Sequence, residues 1–136
     1  MFCAYDWAMA SKQLRMIGLV AQSLLYVAAG VNHFWHSGTY VAIMPPHYSD
    51  PLLLVQVSGA AEILGGIGLL VPATRRFAAW GILAMLVVYF DVHFYMAMHP
   101  ERFAAVPVWA LYGRIPLQLV LIAWAWVYAR PERSRG

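Results

Sequence analysis

Charge is what this chain has least of. Nine Lys or Arg and six Asp or Glu make up 11% of its 136 residues, against about 25% in an ordinary soluble domain. With 62% of the residues apolar, so few ionised groups cannot clothe a water-soluble globule. That excludes an ordinary soluble enzyme, a disordered tail and a nucleic-acid module. Cysteine is nearly missing as well: Cys3 stands alone, which excludes an internal disulfide and a CxxC redox pair. There is no tandem repeat, low-complexity tract or long linker, and no complete nucleophile, cofactor-attachment or dithiol motif.

What the chain does have is long apolar runs, at residues 14–34, 51–71, 76–96 and 108–129. Each is close to the roughly 20 residues that a helix needs to cross a bilayer. Backbone in hydrocarbon must satisfy its own hydrogen bonds, and runs of this length do so as helices. Pro51 suits a helix start, and Pro116 falls near the beginning of the fourth run. The first run lacks a small-residue cleavage motif and reads as a retained helix. The expected fold is therefore all-α: a four-helix transmembrane bundle forming one integral membrane domain over residues 1–136. The first dozen residues, with Phe2, Tyr5 and Trp7 beside Asp6 and Lys12, read either as a short interfacial segment or as disorder.

The basic residues sit at the ends of the runs and not in a stripe. Lys12, Arg15, Arg75, Arg76, Arg130, Arg133 and Arg135 fall on one side, and only Arg102 and Arg114 on the other. That bias predicts an N-in, C-in topology.

Polar residues inside the runs are not scattered either. At about 1.5 Å per residue, Glu62 lies about 20 Å from Arg75, and Asp91 and His93 about 22 and 25 Å from Arg76. His33 lies about 27 Å from Arg15, and Gln118 and Arg114 about 18 and 24 Å from Arg130. Against a hydrocarbon core of about 30 Å, six polar side chains from four helices crowd into the outer half, and all five histidines fall on or near that face. Glu62 projects from a face of small residues (Ser58, Gly59, Gly65, Gly66), which places it inside the bundle. It is expected to be protonated or paired. Arg114 is the one cation deep enough to pair with it, with Asp91 competing for the same guanidinium and Gln118 placed to orient it. On the first helix, Gln22, Tyr26, Gly30 and His33 form one stripe, with Asn32 and His36 on an adjacent edge. On the third, Tyr89 and His93 share a face, with Asp91 and Tyr95 opposite.

Three readings of this cluster stay open. It can be a buried polar network that only fixes helix packing. It can be a transition-metal site, with His33 and His36 at i, i+3 and His93 or a carboxylate completing it. Or it can be a pocket for a quinone or a similar amphipathic molecule, with Tyr26, Trp35, Phe94 and Trp109 nearby. The inner half offers only Gln22, Ser23 and Gln56 as relays for ion transport.

Several runs of residues also resemble a known family. They are Ala29-Gly30-Val31-Asn32-His33-Phe34, Met44-Pro45-Pro46, Ser58-Gly59-Ala60-Ala61-Glu62-Ile63-Leu64-Gly65-Gly66, Leu69-Leu70-Val71-Pro72-Ala73-Thr74-Arg75-Arg76 and Arg114-Ile115-Pro116-Leu117-Gln118. Across residues 14–129 these runs are similar, in order and spacing, to the DoxX family of small bacterial and archaeal membrane proteins. The resemblance implies four transmembrane helices in a cytoplasmic (inner) membrane. It also implies a role beside redox partners, since members include a subunit of a thiosulfate:quinone oxidoreductase. One stretch departs from the family: where relatives tend to read Pro-Ala-Asn-Val-His-Met, this chain has Asp91-Val92-His93-Phe94-Tyr95-Met96. The change adds an acid and a histidine and removes a kink.

The sequence thus leads to a membrane subunit, non-catalytic or co-catalytic, of a quinone-linked redox system. Its polar pocket would be built from Glu62, Asp91, Arg114, Gln118 and Asn32, with His33, His36 and His93 as metal ligands if a metal is present. The expected partners are the lipid bilayer and a redox protein or further copies of the chain, with no nucleic acid. The alternative is a structural or assembly subunit of a membrane complex.

Overall fold

A computed structural model describes residues 2–131, with side chains from Met9 onward. Five α-helices follow one another: α1 (Phe2–Trp35), α2 (Ser37–Ala42), α3 (Pro51–Leu70), α4 (Arg75–Met98) and α5 (Val108–Ala129). A 3-10 turn at Pro100–Phe103 joins the last two, and no strand occurs among the described residues. Four helices are long and apolar enough to cross a membrane, over Met9–Trp35, Pro51–Leu70, Arg75–Met98 and Val108–Ala129. The protein is a multi-pass membrane protein built as a helical bundle.

Two features differ from the sequence-based expectation. The first helix begins at Phe2, so the opening dozen residues continue α1 as one rod; the side chains of Phe2, Tyr5, Asp6 and Trp7 lie outside the described residues, as do Arg133 and Arg135. The short helix α2 carries no long apolar run, and hydropathy alone gave it no signature. Pro116 falls inside α5, as the fourth apolar run led one to expect.

Polarity is inverted relative to a soluble protein. Leu64, Phe77, Val88 and Val120 are exposed, whereas Gln22, Ser23, Glu62 and Gln118 are buried. Lipid solvates the former, and only neighbouring helices can satisfy the latter.

The helices pack in the order α1 on α3, α3 on α4 and α4 on α5. Glycines bring α1 and α3 together. A Cβ on Gly59 would stand 2.7 Å from His33 Cβ, and one on Gly66 would stand 2.8 Å from Ser23 O. The Ser23 hydroxyl uses this closeness to donate to Gly66 O at 2.6 Å. On the other side of α3, a Cβ on Gly68 would come within 2.8 Å of Ala78 Cβ on α4. Trp80 of α4 meets Trp126 of α5 edge to face, with ring centroids 5.3 Å apart.

The end of the bundle at the 71–74 turn is held by cations on helix C-terminal carbonyls. Arg75 Nε donates to Leu69 O at 2.8 Å and Arg76 Nε to Ala129 O at 3.2 Å. Arg15 donates to Val127 O at 3.4 Å, and Tyr128 donates to Arg15 O at 2.9 Å. A helix C-terminus leaves its last carbonyls unpaired and carries partial negative charge, so arginines suit it on both counts. The opposite end, hereafter the α2 end, starts α3 with Pro51 and an Asp50 carboxylate that accepts from Leu53 N at 3.1 Å.

Four crossings place the α2 end and the 71–74 turn on opposite membrane faces. In a Cys3-free background, Thr39→Cys and Ala73→Cys should label with an impermeant thiol reagent from opposite sides of sealed vesicles. Labelling of both from one side would contradict four crossings.

Candidate functional site

The cluster is assembled around Glu62, at mid-length on α3 and buried. Its Oε1 accepts a hydrogen bond from the Tyr89 hydroxyl of α4 at 2.9 Å. Its Oε2 faces His33 Nε2 of α1 at 3.7 Å and has no hydrogen-bond partner. The other ring nitrogen fixes the tautomer: His33 Nδ1 lies 3.1 Å from Val55 O, which can only accept, and 2.9 Å from Ser58 Oγ. Ser58 in turn donates to Val55 O at 2.9 Å. Nδ1 therefore carries a hydrogen, and Nε2 is the ring nitrogen that faces the carboxylate. Three helices meet in this one network.

Beside it, between α3 and α4 in the half toward the α2 end, lies a cavity of about 430 Å³. Most of its wall is aliphatic, from residues such as Leu54, Val57, Ala84 and Val88. Polar groups converge from several elements: His33 from α1, Tyr40 from α2, Tyr89 and His93 from α4 and Arg114 from α5. Tyr40 packs on the His33 ring with centroids 3.9 Å apart. His93 Nδ1 is buried without a hydrogen-bond partner. Arg114 makes one hydrogen bond, from Nη1 to Met96 Sδ at 3.3 Å. A thioether is a weak acceptor, so the guanidinium keeps most of its donors unspent. An apolar slot with a few convergent polar groups, some unpaired, is the usual form of a small-molecule site.

The mouth is covered by the segment after α2. Ile43, Met44 and Tyr48 line the cavity, and Tyr48 is tied to α4 through Asp91. Its hydroxyl donates to Asp91 Oδ2 at 2.7 Å, and His47 Nε2 lies 3.0 Å from the same oxygen. Asp91 holds the Tyr48 phenol above its ordinary pKa of 10.0, chiefly because its carboxylate accepts the phenolic hydrogen.

This geometry corrects several expectations. Arg114 pairs with neither acid: Glu62 is served by Tyr89 and His33, and Asp91 by Tyr48 and His47. Depth along a helix could not tell that Arg114, on α5, reaches the cavity from beyond α4. His36 does not join His33 and His93 at the cavity, and no group of three His, Cys, Asp or Glu side chains among the described residues could hold a metal. His36 is exposed, and its Nδ1 lies 2.7 Å from Asn32 Oδ1. Asn32 then donates to the Tyr40 hydroxyl at 2.8 Å, so both stand behind the cavity wall. Gln118 is buried and donates to Leu86 O at 2.5 Å, tying α5 to α4. Trp35 and Trp109 are strongly exposed, and with Phe94 and the buried Tyr26 they lie off the cavity wall. The residues that hydropathy missed are Tyr40, Met44 and Tyr48. The one available signal was their spacing beside Pro45 and Pro46.

A family model described as a domain of unknown function (DUF8561) matches residues 22–129. The chain belongs to that family. No curated protein and no solved structure matches it. The DUF8561 match spans every residue of the network, the cavity and its cover, and leaves out the part of α1 before Gln22.

Two outcomes follow. Tyr89→Phe removes the donor to a buried carboxylate and should cost about 1–3 kcal/mol. In a thermal-unfolding double-mutant cycle it should couple to Glu62→Gln more strongly than Arg114→Ala does; the reverse order would restore Arg114 as the partner. The Tyr48–Asp91 bond adds stability below the ordinary phenol pKa of 10.0 and is lost as pH rises through the raised value. Difference absorbance should show Tyr48 ionising at lower pH in Asp91→Ala than in the wild type.

Proposed function

We propose that this protein is a membrane-embedded binding subunit of a redox system, and that its cavity holds the head group of a quinone-type molecule. The observation that carries the reading is the His33–Glu62 pair at the wall of an apolar cavity inside the bilayer. A quinone carbonyl is a hydrogen-bond acceptor on a flat, largely apolar ring. His93 and Arg114 offer donors to it, and the aliphatic walls suit the ring. Reduction of a quinone needs a proton at each carbonyl oxygen as electrons arrive. His33 Nε2, with Glu62 behind it, is a group that can give or take one of them. The electrons would come from, or go to, a partner redox protein, the role that the resemblance to DoxX proteins also implies.

The same reading places the α2 end on the outer face of a bacterial or archaeal cytoplasmic membrane, on the strength of the basic residues at the other end. A second reading, in which the network only locks the bundle for assembly, is favoured by the span of the Glu62 network across α1, α3 and α4.

Titration of a short-chain quinone into the protein in lipid nanodiscs separates the two. Saturable binding should raise the melting temperature, with a stabilisation of about 2.7 kcal/mol at a hundredfold excess over Kd. His33→Ala should weaken binding at least tenfold, whereas His36→Ala, outside the cavity, should leave it unchanged. An absence of saturable binding, or equal binding by both variants, would overturn the quinone reading in favour of assembly.

A further inference from the structure

A second apolar hollow of about 470 Å³ runs between α3 and α4 toward the 71–74 turn. Ala61 and Met85 line both it and the cavity above. The two therefore adjoin at Ala61 and Met85, between the same pair of helices. Gly65, Gly68 and Gly81 all border the hollow. Gly65 and Gly68 are needed for packing, since a Cβ on them would meet Ile82 Cγ1 at 3.0 Å and Ala78 Cβ at 2.8 Å. Gly81 is not: a Cβ there meets nothing within 4 Å, so this glycine serves the open space and not the contact between helices. The rim is formed by Leu64 and Phe77, both strongly exposed. Thr74 is the single polar side chain in the hollow, and its hydroxyl is spent on Gly68 O at 3.0 Å. Nothing in the hollow can recognise a head group, whereas the cavity it adjoins has several groups that can.

We infer that the hollow holds the long apolar tail of the molecule whose head occupies the cavity, so that the natural ligand is a long-tailed isoprenoid or alkyl quinone and not a small soluble one. The inference rests on the quinone reading and narrows it to a substrate class. The hollow follows α3 from Ala61 to its C-cap Val71, about 15 Å of tail at the helical rise. The tail enters sideways from lipid between the exposed Leu64 and Phe77. Lipid is itself apolar, so the tail gains by fitting this shape and by its tether to the bound head group, and not by leaving water.

The test compares a tail-less benzoquinone with decyl- and longer-tailed homologues in nanodiscs, with concentrations expressed per lipid. Wild type should prefer the decyl homologue at least fivefold, and the preference should level off once the tail exceeds the hollow. Gly81→Leu should abolish that preference while binding the tail-less quinone as wild type does, which also certifies its fold. Equal affinity for short and long tails in the wild type, as expected if a phospholipid chain fills the hollow, would overturn the tail site and leave the cavity reading intact. So would a Gly81→Leu chain that keeps the preference, or one that instead loses a dimer seen for wild type. Failure of every quinone to bind would overturn the cavity reading and the tail site with it. Should Gly81→Leu fail to fold, the tail-length series in the wild type decides alone.

Discussion

The contact between α1 and α3 is the constraint on which the site depends. It is made by glycines: Gly59 lies against His33 Cβ and Gly66 against the backbone of Ser23. Only at that separation does His33, reaching across from α1, find Val55 O and Ser58 Oγ for one ring nitrogen and Glu62 for the other. In lipid there is no hydrophobic force between helices, so close packing and the hydrogen bonds it permits must do the joining. Small residues and polar network are two aspects of one solution. A larger residue at Gly59 would push against the same His33 whose ring the network needs.

The opposite side of α3 follows a different rule. Near the 71–74 turn, α3 and α4 approach at Gly68 with Ala78 and at Gly65 with Ile82. Toward the α2 end, larger side chains and a buried Tyr–Glu bond stand between them, and the cavity opens. The cover is separate from this framework. Tyr40 rests on His33, while Tyr48 and His47 are held by Asp91, an exposed acid at the rim. The two acids thus serve different tasks. Glu62 binds three helices inside the bundle, and Asp91 fastens a short connecting segment at its edge.

The arginines show how one residue type answers two demands. Those near the 71–74 turn satisfy the terminal carbonyls of α3 and α5, and their position also biases topology. Arg114 stands apart, within α5 and at the cavity wall, with a thioether as its hydrogen-bond acceptor. An incompletely satisfied guanidinium beside an apolar slot is costly in a bilayer.

Hydrophobicity and length alone determined the four long helices and their approximate ends, because burial in lipid demands about 20 apolar residues with self-satisfied backbone. That His33, His93 and Arg114 share one half of the bundle was also legible, since helical rise converts residue number directly into height, although Glu62 sits nearer the middle than its distance from Arg75 implied. Pairing was not. Height says nothing about rotation of one helix against another. Whether Glu62 meets Arg114 or Tyr89 depends on which helices are neighbours and at what azimuth. The tertiary order α1–α3–α4–α5 decided that, drawing Glu62 to His33 and Tyr89 and sending Asp91 outward to Tyr48. It also decided that Tyr40, Met44 and Tyr48, in a segment too short for any periodic signal, would close the cavity.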